Sequence, residues 1–197
     1  MTTLHDYLDA LYPPGTPGEL LAYVKKPFNR RFGVPANLDA YAQQIVQLDA
    51  EHDVYLTINT LDGDSIRGRG RYTRGEEGEV VAVVALVADV DAAPKDGHNY
   101  PPQSFILDTL ASMPLLPTMV VRSGRADGGL HLYWVFDEPL VIHDDDQRRK
   151  VKASSKGWQS LLKTKLAPYD LDSTFDLVRV LRPVGTTNKK YGTVVEA

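Results

Sequence analysis

Two aspartates close a long apolar run, Val80-Val81-Ala82-Val83-Val84-Ala85-Leu86-Val87-Ala88-Asp89-Val90-Asp91. Nine consecutive apolar residues read as a strand buried on both faces. Side chains alternate along a strand, so Asp89 and Asp91 point to one side. At a rise of roughly 3.3 Å per residue their Cα atoms stand roughly 6.5 Å apart. Carboxylates at that spacing, where a buried strand surfaces, can hold divalent cations. Two such ions about 3.5–4 Å apart can clamp a displacement at phosphorus. Taken alone, the pair also fits a solvated strand end with aspartate as a turn former.

Two further groups could share that chemistry. The first is Arg122-Ser123-Gly124 followed by Gly128-Gly129-Leu130-His131-Leu132-Tyr133-Trp134. Residues 119–123 and 130–136 read as strands, and the glycine-containing turn between them makes a hairpin. Leu130, Leu132, Trp134 and Phe136 form a wholly apolar face that belongs to a core. His131 lies on the opposite face, where a cleft is expected. Backbone N–H groups of a glycine turn can bind an anion, and Ser123 and His131 would add donors to phosphate. The competing reading of His131 is a satisfied structural histidine. The second group runs from Phe175 to Lys190. Asp176 is a third acid at the start of a strand over 177–181, followed by Arg179, Arg182 and the polar loop Gly185-Thr186-Thr187-Asn188-Lys189. Asp172 is a rival for the third acid.

The elements that must position these residues alternate irregularly. Residues 4–11 are a short helix, broken by Pro13-Pro14-Gly15, and 12–37 are expected to be irregular. A helix over 38–50 starts at Asn37 as N-cap and puts Leu38, Tyr41, Ile45 and Leu48 on one face. Residues 54–58 form a strand and 61–64 a turn. A helix follows Pro101-Pro102 and runs to about 113. Asp137-Glu138-Pro139 is expected to stop the strand carrying His131. A basic amphipathic helix spans about 147–166, with Asp144-Asp145-Asp146 at its positive dipole end. Residues 194–195 form a last short strand. The fold class is α/β (α+β), with helices packed on a mixed sheet.

Composition narrows the function classes. The chain has 197 residues, 43% of them hydrophobic, which is enough for one core. It has no cysteine, which excludes disulfides and thiolate zinc sites. No apolar run is long enough to span a membrane, and no secretion signal is visible. The net charge of −4 argues against a passive nucleic-acid coat. Local basic clusters remain: Arg67, Arg69, Arg71 and Arg74 among glycines; Arg148, Arg149, Lys150 and Lys152; and Arg179, Arg182, Lys189 and Lys190. Together they could form a phosphate-binding surface.

The order of the three groups over residues 52–192 resembles the archaeo-eukaryotic primase superfamily. More narrowly, it resembles the primase–polymerase domain of phage and plasmid replication proteins. The resemblance implies a catalytic core with an RRM-like sheet flanked by helices. It implies one catalytic domain over 1–197, with residues 1–50 as an N-terminal helical subregion, excised from a longer primase–helicase protein. It also implies a DNA primase and polymerase that makes and extends primers on single-stranded DNA from nucleoside triphosphates. Asp89, Asp91 and Asp176 would bind two Mg²⁺ or Mn²⁺ ions. Ser123, His131, Arg179, Arg182 and Lys189 would bind nucleotide. A C-terminal helicase as partner and a bacterial cytoplasm as location come with the resemblance. Two departures stand out: Arg125-Ala126-Asp127 lengthens the Ser-Gly-x-His turn, and Pro183 is displaced by one in Leu181-Arg182-Pro183-Val184-Gly185-Thr186. The alternative function is a non-catalytic module that binds single-stranded nucleic acid or an origin.

Overall fold

The computed structural model describes residues 2–70, 74–92 and 97–197. Arg71, one of the first basic cluster, and residues 93–96, in a segment rich in Pro, Gly and Asn that the sequence reads as a loop over 92–102, lie outside the described residues. The chain begins with helix α1 (Leu4–Leu11), strands β1 (Leu20–Lys25) and β2 (Phe28–Gly33), and helix α2 (Leu38–Asp49). Strands β3 (Val54–Thr57) and β4 (Thr60–Leu61) and helix α3 (Gly63–Gly68) precede the long strand β5 (Val80–Val90). Helix α4 (Gln103–Leu110), strands β6 (Met119–Arg122) and β7 (Leu130–Val141) and helix α5 (Asp145–Leu166) follow. The short strands β8 (Val180–Leu181), β9 (Thr187–Asn188) and β10 (Thr193–Val194) end the chain.

Local chemistry accounts for the helix starts. Thr3 and Asp6 form a reciprocal capping box at α1. The Asn37 side chain accepts the Ala40 N–H at α2, which buries Leu38, Tyr41, Ile45 and Leu48 as its spacing predicts. Asp144 caps α5, with Asp145 and Asp146 in the first turn and Lys163 and Lys165 in the last, matching the helix dipole.

The strands form two four-stranded sheets and a small hairpin. One sheet has the order β2-β1-β3-β8 and the other β4-β5-β7-β6, while β9 pairs with β10. In the second sheet, β5-α4-β6-β7-α5 places its strands in the spatial order β5-β7-β6, as in an RRM-like unit. The fourth position, beside β5, is taken by the preceding strand β4. The strand after α5 leaves this sheet: β8 pairs with β3, Leu181 opposite Leu56 and Val180 opposite Thr57.

Both faces of the β5–β7 sheet are covered. Leu130, Leu132 and Trp134 pack with Ile106 and Leu110 of α4 and Leu162 and Leu166 of α5. On the other face, Val84, Ala85, Val121 and Tyr133 meet α1, α2 and the inner face of the first sheet in one core. Tyr7 of α1 and Tyr133 of β7 tie this core together, their hydroxyls 3.1 Å apart and their rings edge to face.

The expected fold class is borne out, with corrections of detail. The strand pairs are antiparallel rather than mixed. Residues 12–37 are not irregular throughout, and residues 1–50 are not simply helical, because β1 and β2 lie there. Leu20 to Val24 is a short apolar run buried on both sides, and the prolines and glycines before it obscure it. Residues 61–64 are not a bare turn: Leu61 ends β4, and Asp62 caps α3. Asp137-Glu138-Pro139 does not stop β7. The register shifts between Val83 and Ala85, and that irregularity accommodates proline inside the strand. The strand expected over 177–181 shrinks to Val180–Leu181, since Arg179 N–H turns back to the Asp176 carbonyl.

Candidate active site

The β5–β7 register sets Asp89 directly opposite His131, and β6 sets Val121 on its other side. His131 Nε2 lies 3.7 Å from Asp89 Oδ1, beyond hydrogen-bond reach but close enough to feel its charge. The imidazole is not open to a cleft: His131 is 3% exposed, and its Nδ1 has no partner among the described residues. Burial pushes its pKa below the usual imidazole value. Asp89 opposes that shift and Arg182 adds to it. His131 is therefore neutral at pH 7. Strand alternation gave its face correctly, but the first sheet and its helices cover that face.

Asp91 lies just past the end of β5, where Gly129 lets the β6–β7 turn come close. A Cβ on Gly129 would stand 2.8 Å from the Val90 carbonyl oxygen and 3.2 Å from Asp91 Cα. Asp91 then lines a cavity of about 330 Å³ with Ser123, Gly124, Gly129, Arg182, Asn188, Lys190 and Tyr191. Three distant segments meet there. Asn188 Nδ2 donates to the Ser123 carbonyl at 2.6 Å, and the Arg122 and Glu196 backbones pair, so the β9–β10 end closes on β6. Arg182 is aimed by Asp53, which accepts its Nε at 3.1 Å, and by the Tyr55 hydroxyl at 2.9 Å.

The two candidates for a third acid, Asp172 and Asp176, lie on a loop and not on a strand of the sheet. Gln159 of α5 donates to the Asp172 carbonyl at 2.8 Å and to Thr174 Oγ1 at 2.6 Å, and accepts the Thr174 N–H at 3.1 Å. Thr174 Oγ1 in turn accepts the Asp89 N–H at 3.4 Å. The loop carrying Asp172 and Asp176 is thus fastened beside Asp89. Asp176 is paired with Arg179. Asp172 accepts the Tyr100 hydroxyl at 3.0 Å. Burial pushes the Tyr100 phenol up to about 12, with Asp172, Asp91 and Asp170 adding to the shift. Among the described residues, no three His, Asp or Glu side chains converge on one metal position.

The remaining basic candidates divide sharply. Lys189 faces away from the cavity, its ammonium 3.6 Å from Asp49 and its N–H bonded to Asp53. Lys190, the next residue, lines the cavity instead. Arg67 is held by Glu19 and Asp64, and Arg69 by Glu76 and Glu79. Arg148, Arg149 and Lys150 pair with Asp145 and Asp146 along α5, and Lys152 pairs with Glu77. These two basic clusters are thus largely engaged in ion pairs. The third cluster is engaged as well, through Arg179–Asp176, Arg182–Asp53 and Lys189–Asp49. Asn188 was signalled by the polar loop after Gly185 and Lys190 by the third basic cluster, while Tyr191 had no signal. Gln159 and Thr174 had none.

No family model and no curated protein matches the chain. A solved structure does: the archaeo-eukaryotic primase domain of the cyanophage S-2L primase–polymerase. It aligns with 96% of this chain and 84% of its own length, at a TM-score of 0.59 and 14% sequence identity. The likeness gives the fold, an archaeo-eukaryotic primase-type core of antiparallel sheets and flanking helices, as the motif order led one to expect. No helix among the described residues is long and apolar enough to cross a membrane.

Proposed function

We propose that the protein is a template-directed nucleotidyltransferase, a DNA primase and polymerase that makes and extends primers on single-stranded DNA. One observation carries this reading: Asp91, Ser123 and Arg182, from three distant segments, line one cavity with Lys190. Beside the Arg125–Asp127 pair, which also lines the cavity, the Asp91 carboxylate, the Ser123 hydroxyl and two further cations suit a metal-bound triphosphate. The cyanophage protein of the same fold is named a primase–polymerase.

Asp89 and Asp91 fit hard divalent cations such as Mg²⁺ or Mn²⁺. Mg²⁺ is commonly held by one or two carboxylates, with substrate phosphates and waters completing its shell, so a closed protein cage is not required. When bound, a pair of such ions would activate a 3′-hydroxyl and neutralise the departing pyrophosphate. Asp176 is the proposed third ligand, and serving as one requires it to exchange Arg179 for a cation. Ser123, Arg182 and Lys190 donate to phosphate oxygens, and charged donors make the stronger hydrogen bonds. Arg179 and Lys189 sit one layer back, on Asp176 and Asp49. His131 is buried behind Asp89 and fills the space against that carboxylate. The reading brings with it replication of a phage or plasmid in a bacterial cytoplasm, with a helicase as partner.

The test is metal-dependent incorporation of labelled nucleotide on a defined single-stranded template. Incorporation that follows the template and stops with a chelator is expected. A non-catalytic binding module would hold the strand and incorporate nothing.

A further inference from the structure

The outer face of the β2-β1-β3-β8 sheet carries a group of side chains that the cavity chemistry does not use. Leu20, Ala22 and Val24 of β1 point into the core, so Tyr23 and Lys25 lie on the opposite face. The register sets Tyr23 between Arg30 of β2 and Tyr55 of β3, and sets Lys25 opposite Phe28. The Tyr23 ring lies 5.8 Å from Phe28, stacked, and 6.0 Å from Tyr55. Lys25 Nζ sits 4.1 Å over the Tyr55 ring, and the Arg182 guanidinium lies 4.9 Å from the same ring. Arg74 donates to the Tyr23 hydroxyl at 3.2 Å.

Charge on this face is unbalanced. Burial, Arg182 and Arg74 all act to lower the pKa of the Lys25 ammonium, and Asp53 alone opposes them. Asp53 is itself shared between Arg182 and the Lys189 N–H. A chain of net charge −4 thus gathers cations around three adjoining rings, Phe28 stacked on Tyr23 and Tyr55 tilted to it. The face is also continuous with the cavity, because Arg182 lines the cavity and stacks on Tyr55.

We propose that Phe28, Tyr23 and Tyr55, with Lys25, Arg74 and Arg182, form a stacking track for a DNA single strand that leads into the cavity. The role of that strand as template rests on the nucleotidyltransferase reading; its binding does not. Tyr23, 2% exposed, is the floor that holds the other rings. A base stacks on Tyr55 where Lys25 now lies, and Lys25 passes to a phosphate. Aromatic rings with basic neighbours bind single strands of any sequence, because every base presents a π-face.

Fluorescence anisotropy with labelled oligo(dT), in chelator and without nucleotide, tests this. Tyr55→Ala is expected to weaken binding by about tenfold, within the range for one lost base stack. Tyr55→Phe keeps the ring and is expected to bind within about twofold of the parent. On a strand of equal length without bases, Tyr55→Ala is expected to cost little. Lys25→Gln, at an exposed position, is expected to lower the slope of log affinity against log salt by about 0.7. Unchanged oligo(dT) affinity in Tyr55→Ala, or an unchanged salt slope in Lys25→Gln, overturns the track. Ring-dependent binding by a protein that incorporates no nucleotide would defeat the nucleotidyltransferase reading and leave the track standing. Template-dependent incorporation with ring-independent binding would do the reverse.

Discussion

Replacing Gln159 with methionine removes the clip that holds the third-acid loop against β5, while nearly preserving side-chain volume. Gln159 is 8% exposed and makes three hydrogen bonds to the loop, two to Thr174 and one to the Asp172 carbonyl. Thr174 is 3% exposed, so its N–H would be left buried and unsatisfied. A buried orphan costs about 1–3 kcal/mol, and each lost bond to a still partly satisfied acceptor about 0.5–1.5 kcal/mol. The sum is about 4 kcal/mol, which in a domain of this size lowers Tm by roughly 8–16 °C. Nucleotide incorporation should fall further than stability, because Thr174 also receives the Asp89 N–H and its loop carries Asp172 and Asp176. Thermal unfolding and a primer-extension assay below the lowered Tm separate the two effects. Gln159→Glu keeps the acceptor for Thr174 N–H but sets a buried carboxylate oxygen against the Asp172 carbonyl, and should destabilise at least as much. A methionine variant with unchanged Tm and unchanged incorporation would refute the clip.

Stability should collapse at alkaline pH. Tyr7, Tyr12, Tyr41 and Tyr133 are fully buried, and burial raises each phenol above its usual value. The folded state keeps these protons where the unfolded chain releases them near pH 10. Each phenol can therefore remove up to about 1.4 kcal/mol per pH unit above that point; urea titrations between pH 8 and 11 that show no loss would contradict this. Gly129→Ala should destabilise by about 1–3 kcal/mol, the range for overpacking, and should abolish incorporation, because the new methyl meets the Val90–Asp91 backbone; full activity would show that the close approach is dispensable. His131→Ala should lower kcat with little change in nucleotide KM, since the imidazole touches Asp89 rather than the cavity. A raised KM with unchanged kcat would instead mark direct phosphate contact.

Local signals carried much of the architecture. The cap at Asn37, the three acids at the start of α5, the four-residue apolar face of α2 and the apolar run of β5 all depend on near neighbours and were legible. The hairpin with His131 was legible for the same reason. Long-range pairing was not. Nothing near Val180 and Leu181 announces that two residues join a strand more than a hundred positions earlier. Alternation told which face His131 takes, but not that a second sheet covers it. The basic clusters misled because acids three or four residues away, and distant acids such as Glu19, engage them. Lys189 and Lys190 were separable only once Asp49 and Asp53 were in place.

The most direct measurement is primer synthesis and extension by the parent protein and by Asp89→Ala with Asp91→Ala, on one single-stranded template with Mg²⁺ or Mn²⁺. Thermal unfolding verifies that both are folded. The parent should incorporate nucleotide in a template- and metal-dependent way, and the folded double variant should lose this entirely. Equal incorporation by both would remove Asp89 and Asp91 from the chemistry and, with them, the active site proposed at the end of β5.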